Sequence, residues 1–271
     1  MSTASAPIEV AHVALTVNDL GAMRAFYETA LGLSTLSDGG GRVRLGVGDH
    51  LLLELREDKA ARRSTPREAG LFHTAFLMPD RPALARWLRH AVDSGLQLQG
   101  ASDHLVSEAI YLADPEGNGI EVYADRPRTG WHAADGTIRM ASDPLDLPGL
   151  LQDAKAPWTA APKGTVIGHV HLQVGALAEA EAFYAGTLGL AIMARYPGAS
   201  FLGAGGYHHH IATNVWNSRN AAKRSFPSTG LAELALALGT GEQAAILARG
   251  GAVRMVDPWQ TQVTLVQKPV S

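Results

Sequence analysis

Four stretches of the chain repeat one pattern of apolar and polar positions. In the first, Val10–Val17 is alternating or continuously apolar, as a half-buried or buried strand would be. An amphipathic stretch from Leu20 to Leu31 follows, with Met23, Phe26, Tyr27 and Ala30 on one face. Gly32 stands just past it, where a helix terminates. Shorter strand-like runs come next, among them Val43–Leu45 and Leu51–Leu55, and later Ala109–Leu112 and Gly119–Tyr123. The unit reads as βαβββ, so the fold class is α+β.

The copies align without adjustment. His12-Val-Ala-Leu-Thr-Val recurs 157 residues later as His169-Val-His-Leu-Gln-Val. At the same spacing Phe26-Tyr27 meets Phe183-Tyr184, and Leu31-Gly32-Leu33 meets Leu188-Gly189-Leu190. Each half divides again: His12 falls on His73 at an offset of 61, and the segment from Gly230 matches that from Gly70 at an offset of 160. The expectation is four modules paired into two domains. Residues 8–126 form the first domain (modules 8–59 and 70–125) and carry the site. Residues 127–163 are a connector, and residues 164–268 form the second domain. The connector is rich in Pro, Asp and Gly, but Trp131, Leu145, Leu147, Leu150 and Trp158 give it anchors, so it is expected to be ordered.

Composition narrows the chemistry. With 271 residues, 46% hydrophobic and 18% charged, the chain is of the globular type and long enough for two cores. A net charge of −3 leaves no footprint for nucleic acid, and no apolar run reaches membrane-spanning length. The opening Met-Ser-Thr-Ala-Ser-Ala-Pro has no signal-peptide pattern, so a cytoplasmic location is expected. There is no cysteine, which excludes thiolate catalysis and thiolate metal sites; any metal must rest on carboxylates and the 11 histidines.

Within the first half, His12 and His73 occupy matching places on the opening strands of their modules, and Glu121 lies on the last strand of the second. A lone His in an apolar strand is more often a satisfied core or surface residue, and Glu121 taken alone is the polar face of an edge strand. The repeat raises the three together: two imidazoles and a carboxylate on one concave face suit a divalent metal and leave positions open.

The pattern resembles the vicinal oxygen chelate superfamily over nearly the whole chain. The segment from His104 through Ile110-Tyr111, Asp114-Pro115 and Gly117 to Glu121 looks like the signature of type I extradiol ring-cleavage dioxygenases, and the whole chain looks most like two-domain bacterial catechol 2,3-dioxygenases. The resemblance implies Fe(II), with Mn(II) as a substitute, held by His12, His73 and Glu121. The substrate would be a catechol-like diol chelated through vicinal oxygens, with dioxygen as co-substrate. It also implies His104 and Tyr111 beside the substrate oxygens, and His50, near the start of the run Leu51–Leu55, as an acid–base residue. His50 after Gly48-Asp49 reads equally well as a surface turn residue.

The second half departs from this pattern. His169 matches His12, but Glu233 stands for His73 and Thr264 for Glu121, so its site is expected to be degenerate. Such enzymes carry the metal in their C-terminal pair of modules, so the placement is reversed. The run Tyr207-His208-His209-His210 reads as a turn entering a strand. A weak second metal site with His169, a substrate-shaping wall and a network with Asn214 and Trp216 are the open uses, the last two favoured. On the same scaffold a glyoxalase-type isomerase or lyase, using zinc or nickel, would add a fourth ligand, for which Glu54 is placed. A drug-binding protein would lack the metal ligands. Exposed sheet edges are compatible with a homo-oligomer.

Overall fold

The computed structural model describes residues 2–134 and 137–268. The first module comprises β1 (Ile8–Val17), α1 (Leu20–Ala30), β2 (Ser34–Gly39), β3 (Arg42–Val47) and β4 (His50–Glu57). The second comprises β5 (Gly70–Leu77), α2 (Arg81–Asp93), β6 (Leu98–Asp103), β7 (Ser107–Ala113) and β8 (Gly119–Asp125). The connector contributes β9 (Asp143–Pro144) and α3 (Leu147–Leu151); its positions 135 and 136 lie outside the described residues. The third module holds β10 (Val166–Gln173), α4 (Leu177–Glu181) continued by a π-helical turn, β11 (Ala191–Tyr196), β12 (Ala199–Gly203) and β13 (Ile211–Asn214). The fourth, with β14 (Gly230–Leu238), α5 (Thr240–Ala248), β15 (Arg254–Val256) and β16 (Gln262–Gln267), has one strand fewer among the described residues.

Helices α1 and α2 begin where the sequence places acceptors for orphan N–H groups. Asp19 accepts from Ala22 N at 2.9 Å and Asp80 from Ala83 N at 2.7 Å. Helix α2 then buries Leu84, Trp87, Leu88 and Ala91, and the Trp87 indole donates to the Ala30 carbonyl of α1 at 2.9 Å.

The modules do not pair within each half. One sheet runs β15-β16-β14-β1-β4-β3-β2 and joins the first module to the fourth; the other runs β11-β12-β13-β10-β5-β8-β7-β6-β9 and joins the second to the third. The seams are antiparallel, with Val10 opposite Leu236 on β1 and β14, and His171 opposite His73 on β10 and β5. The division into domains 8–126 and 164–268 is therefore corrected: each sheet draws on both halves of the chain. Within a half, the modules touch across the space between the sheets. Tyr27 donates to Asp114 at 2.9 Å in the first half, and Tyr184 to Asp257 at 3.0 Å in the second. The two Asp-Pro turns thus serve as matching struts, each Asp also accepting from N–H groups of its own turn.

Strand alternation decides which face each residue takes. On the nine-stranded sheet, Phe76, Ile110, Ile120, Val122, Val170 and Leu172 enter the main core shared with the other sheet and the helices. Ala75, Ala109 and Tyr123 face the opposite way, into a smaller cluster closed by Trp131, Ile138 and Tyr207. No helix among the described residues is long and apolar enough to cross a membrane.

Candidate metal centre

The same alternation that buries Ile120 and Val122 turns Glu121 to the concave face, and on β10 it turns His169 there. Since β10, β5 and β8 are adjacent, His169, His73 and Glu121 converge. Their donor atoms form a triangle: His73 Nε2 to Glu121 Oε2 3.0 Å, His169 Nε2 to Glu121 Oε2 3.4 Å, and the two Nε2 atoms 3.4 Å apart. Gly119 permits the approach, because a Cβ there would lie 2.0 Å from the Phe72 carbonyl oxygen on β5.

All three side chains are buried. Burial pushes the His169 imidazolium down to about 4, so the ring is neutral at pH 7. Burial alone would raise the Glu121 carboxyl, but its interactions with His169 and His73 override burial and hold the group well below the carboxylate range. Lone pairs on nitrogen and an ionised carboxylate, at separations of about 3 Å, match ligands on one face of an ion with bonds of roughly 2.1 Å. The donor set fits a divalent transition metal.

His12, expected in this triad, is not in it. It lies on β1 in the other sheet, opposite Ala235 and near Glu233, Glu54, Arg44 and Arg56. The repeat relation between His12 and His169 is sound, but β5 pairs with β10 rather than β1, so the third-module histidine completes the site. His50 is likewise displaced: it sits exposed at the first position of β4, opposite Val47 in a tight turn, and is not near the triad. His73 and Glu121 are brought together as expected.

His104 and Tyr111 also reach the site. His104 Nδ1 lies 2.6 Å from the Ala141 carbonyl and must donate to it, which makes Nε2 an acceptor for the Tyr111 hydroxyl at 2.6 Å. Burial and the nearby Glu121 charge push the Tyr111 phenol well above its ordinary value, so it stays protonated.

The third module adds further residues to the cavity. His171 lines the cavity and accepts from Asn214 Nδ2 at 3.0 Å; Asn214 Oδ1 is fixed by the Trp216 N–H at 3.2 Å. The histidine run divides its work, and it precedes β13 rather than belonging to a strand. His210 is structural, with Nε2 on the Ala4 carbonyl and Nδ1 accepting from Ala204 N. His208 Nε2 faces Asp125 Oδ1 at 2.9 Å, so its Nδ1 accepts from His209 Nδ1 at 2.7 Å. The His209 ring lines the cavity, 4.1 Å centroid to centroid from His169. Its Nε2 is thereby an unprotonated acceptor, and burial holds its pKa well below the ordinary imidazole value. His209 stands where His50 had been expected.

The seven-stranded sheet carries the pseudo-symmetric counterpart, filled by ions of its own chain. Buried Glu54 accepts from Arg44 at 2.8 Å and Arg56 at 2.6 Å, and Arg56 also bonds Glu233 at 2.6 Å. Burial alone would raise both carboxyls, but the arginine hydrogen bonds and charges hold them below the ordinary value of 4.5. A folded pKa below the unfolded one contributes stability above about pH 4.5, and that stability is lost as pH falls through the depressed folded values. Arg56→Ala should cost about 2 kcal/mol in urea unfolding at pH 7, less than the roughly 3–5 of a fully buried pair because the guanidinium is part-exposed. The deficit should shrink below pH 4. A pH-independent deficit would show that packing rather than charge is lost.

The triad opens on a cavity of about 360 Å3 lined also by His104, Tyr111, His171, His209 and several aromatic and aliphatic side chains. The chain matches the model of the Glyoxalase/Bleomycin resistance protein/Dioxygenase superfamily over residues 9–122 and 166–264. It is 41% identical over 228 residues to a catechol-2,3-dioxygenase of Bacillus subtilis (strain 168), covering 82% of this chain and 80% of that one. A biphenyl-2,3-diol 1,2-dioxygenase of Rhodococcus globerulus is 27% identical over 117 residues, 42% of this chain and 62% of that one. Among solved structures, glyoxalase I from Zea mays superposes with a TM-score of 0.57 at 16% identity, covering 96% of this chain and 92% of that one. The cppA protein of Streptococcus pneumoniae TIGR4 gives 0.59 at 11%, covering 96% and 99%; both are likenesses of fold. With the family model spanning both halves and the paired sheets carrying its fold, the chain belongs to the glyoxalase/bleomycin resistance protein/dioxygenase superfamily.

Proposed function

We propose that this chain is an extradiol ring-cleavage dioxygenase that uses Fe(II), held by His73, His169 and Glu121, to cleave a catechol-like diol with dioxygen. Mn(II) suits the same donors. The observation that carries the reading is the count of protein ligands. Under the pseudo-twofold of the nine-stranded sheet, His73 exchanges with His169 and Ala75 with His171. Glu121 pairs with Ala75, and the residue paired with His171 is Ala212. A glyoxalase-type site would place its fourth ligand there, and a methyl group cannot ligate. Glu54, the earlier candidate for that ligand, is engaged by arginines in the other sheet. Three ligands on one face leave room for both diol oxygens and dioxygen.

Bound in that triad, a divalent iron would acidify the diol and bring both substrates to one centre. The protein's share is proton handling and orientation. His209 Nε2, an acceptor fixed by the chain through His208 to Asp125, takes a diol proton and later returns it. The Tyr111 oxygen, its proton directed at His104, offers lone pairs to a substrate hydroxyl.

Metal analysis combined with an oxygen electrode tests the reading. Iron near one equivalent, oxygen uptake with catechols and a yellow ring-fission product are the expected results. Zinc or nickel at that stoichiometry with no oxygen uptake would overturn it.

A further inference from the structure

Resting on that function, the geometry points to a neutral, apolar-substituted catechol as the preferred substrate, its substituent lying against a wall built partly by the connector. The cavity volume, about 360 Å3, is in the range that encloses drug-sized ligands, roughly 300–1,000 Å3. An unsubstituted catechol has only eight heavy atoms and leaves much of that space unfilled. Besides the triad, His104, Tyr111, His171 and His209, the polar lining is three serines (Ser102, Ser107 and Ser142) and Arg195, and the rest is apolar. Phe72, Phe201 and Trp216 surround His171, with ring centroids 5.0, 6.0 and 5.4 Å from it. Ile138 and Met140, from the connector, supply further apolar lining. Tyr196 and Trp216, 57% and 46% exposed, also belong to the lining, so large apolar surface is left open to solvent where a substituent would cover it.

Charge argues against a carboxylated diol. Among the described residues, Arg195 is the one arginine or lysine in the lining. Its Nε and one terminal nitrogen each donate to Glu181 at 3.0 Å, a two-point pair that neutralises it. Glu181 is further held by the Ser200 hydroxyl at 2.6 Å. A carboxylate substituent would lose hydration and gain no free cation.

Equilibrium binding to the iron-loaded protein without oxygen, read by tryptophan fluorescence, tests this apart from turnover. The probes are biphenyl-2,3-diol, catechol and 3,4-dihydroxybenzoate. The aryl diol should bind at least about tenfold more tightly than catechol, from burial of the second ring, and the carboxylated diol at least about tenfold more weakly. Equal affinity for catechol and the aryl diol, or preference for the carboxylated one, would overturn the proposal, as would binding of none. Ring cleavage with the wrong preference sinks this inference and leaves the dioxygenase reading standing; tight aryl-diol binding without oxygen uptake does the reverse. Met140→Trp should lower the preference for the aryl diol over catechol at least about fivefold, and an unchanged ratio would overturn the connector wall.

Discussion

Replacing His169 by Ala should strip the protein of iron and of ring cleavage, while replacing His12 by Ala should leave both. The two histidines occupy the same place in the repeat, 157 residues apart, so sequence comparison between modules treats them alike. The sheets do not. His169 Nε2 is 3.4 Å from both Glu121 Oε2 and His73 Nε2, whereas His12 is on the sheet that contains neither. Disturbing a residue that merely supports a ligand typically costs 10–100-fold in metal affinity, so deleting one of three ligands should cost more than about 100-fold. Metal content after gel filtration, with circular dichroism to verify folding, measures this directly. Iron retained at full stoichiometry in the His169 variant, or lost in the His12 variant, would overturn His169 as the third ligand.

Why the sequence led to His73 and Glu121 but not to their partner follows from what alternation encodes. Period-2 patterning tells which residues of a strand share a face, and it put Tyr111, Glu121 and His73 on faces of one module correctly. It does not encode which edge of that module meets another, and pairing of the second module with the first or the third satisfies the pattern equally well. The strands flanking each histidine carried a signal that could have separated them. β3 and β4 set Arg44, Glu54 and Arg56 around His12, charges that Glu233 of β14 completes to neutrality and that fill their own cup. The corresponding strands and loop of the third module set His209 against His169, and Phe201 and Ala212 beside His171, with no cation among them. His50 failed for a related reason: a turn histidine after Gly-Asp looked like the acid–base residue because its module looked like the metal module. The helices, caps and four modules were legible because they depend on local order alone.

His209→Phe should lower kcat by about 10^2–10^4 while iron and the diol still bind, the range expected when a positioned acid–base group is removed. Phenylalanine keeps a ring beside His169, where the two rings are 4.1 Å apart, so packing against the metal ligand is retained. It removes Nε2, the acceptor in the cavity, and Nδ1, the donor to His208. The buried His208 then loses one partner and keeps Asp125, which Thr3 also bonds at 2.5 Å, so the network behind the cavity holds its shape. A fall in kcat with an unchanged anaerobic Kd assigns the loss to proton transfer; a matching rise in Kd with kcat intact would make His209 a wall of the pocket. Asp125→Asn separates the two further. It leaves Nε2 in place but removes the charge that orients His208, so a smaller loss, about 10-fold, is expected if the relay sets the tautomer. No change there, with His209→Phe inactive, would mean that His209 works without the residues behind it.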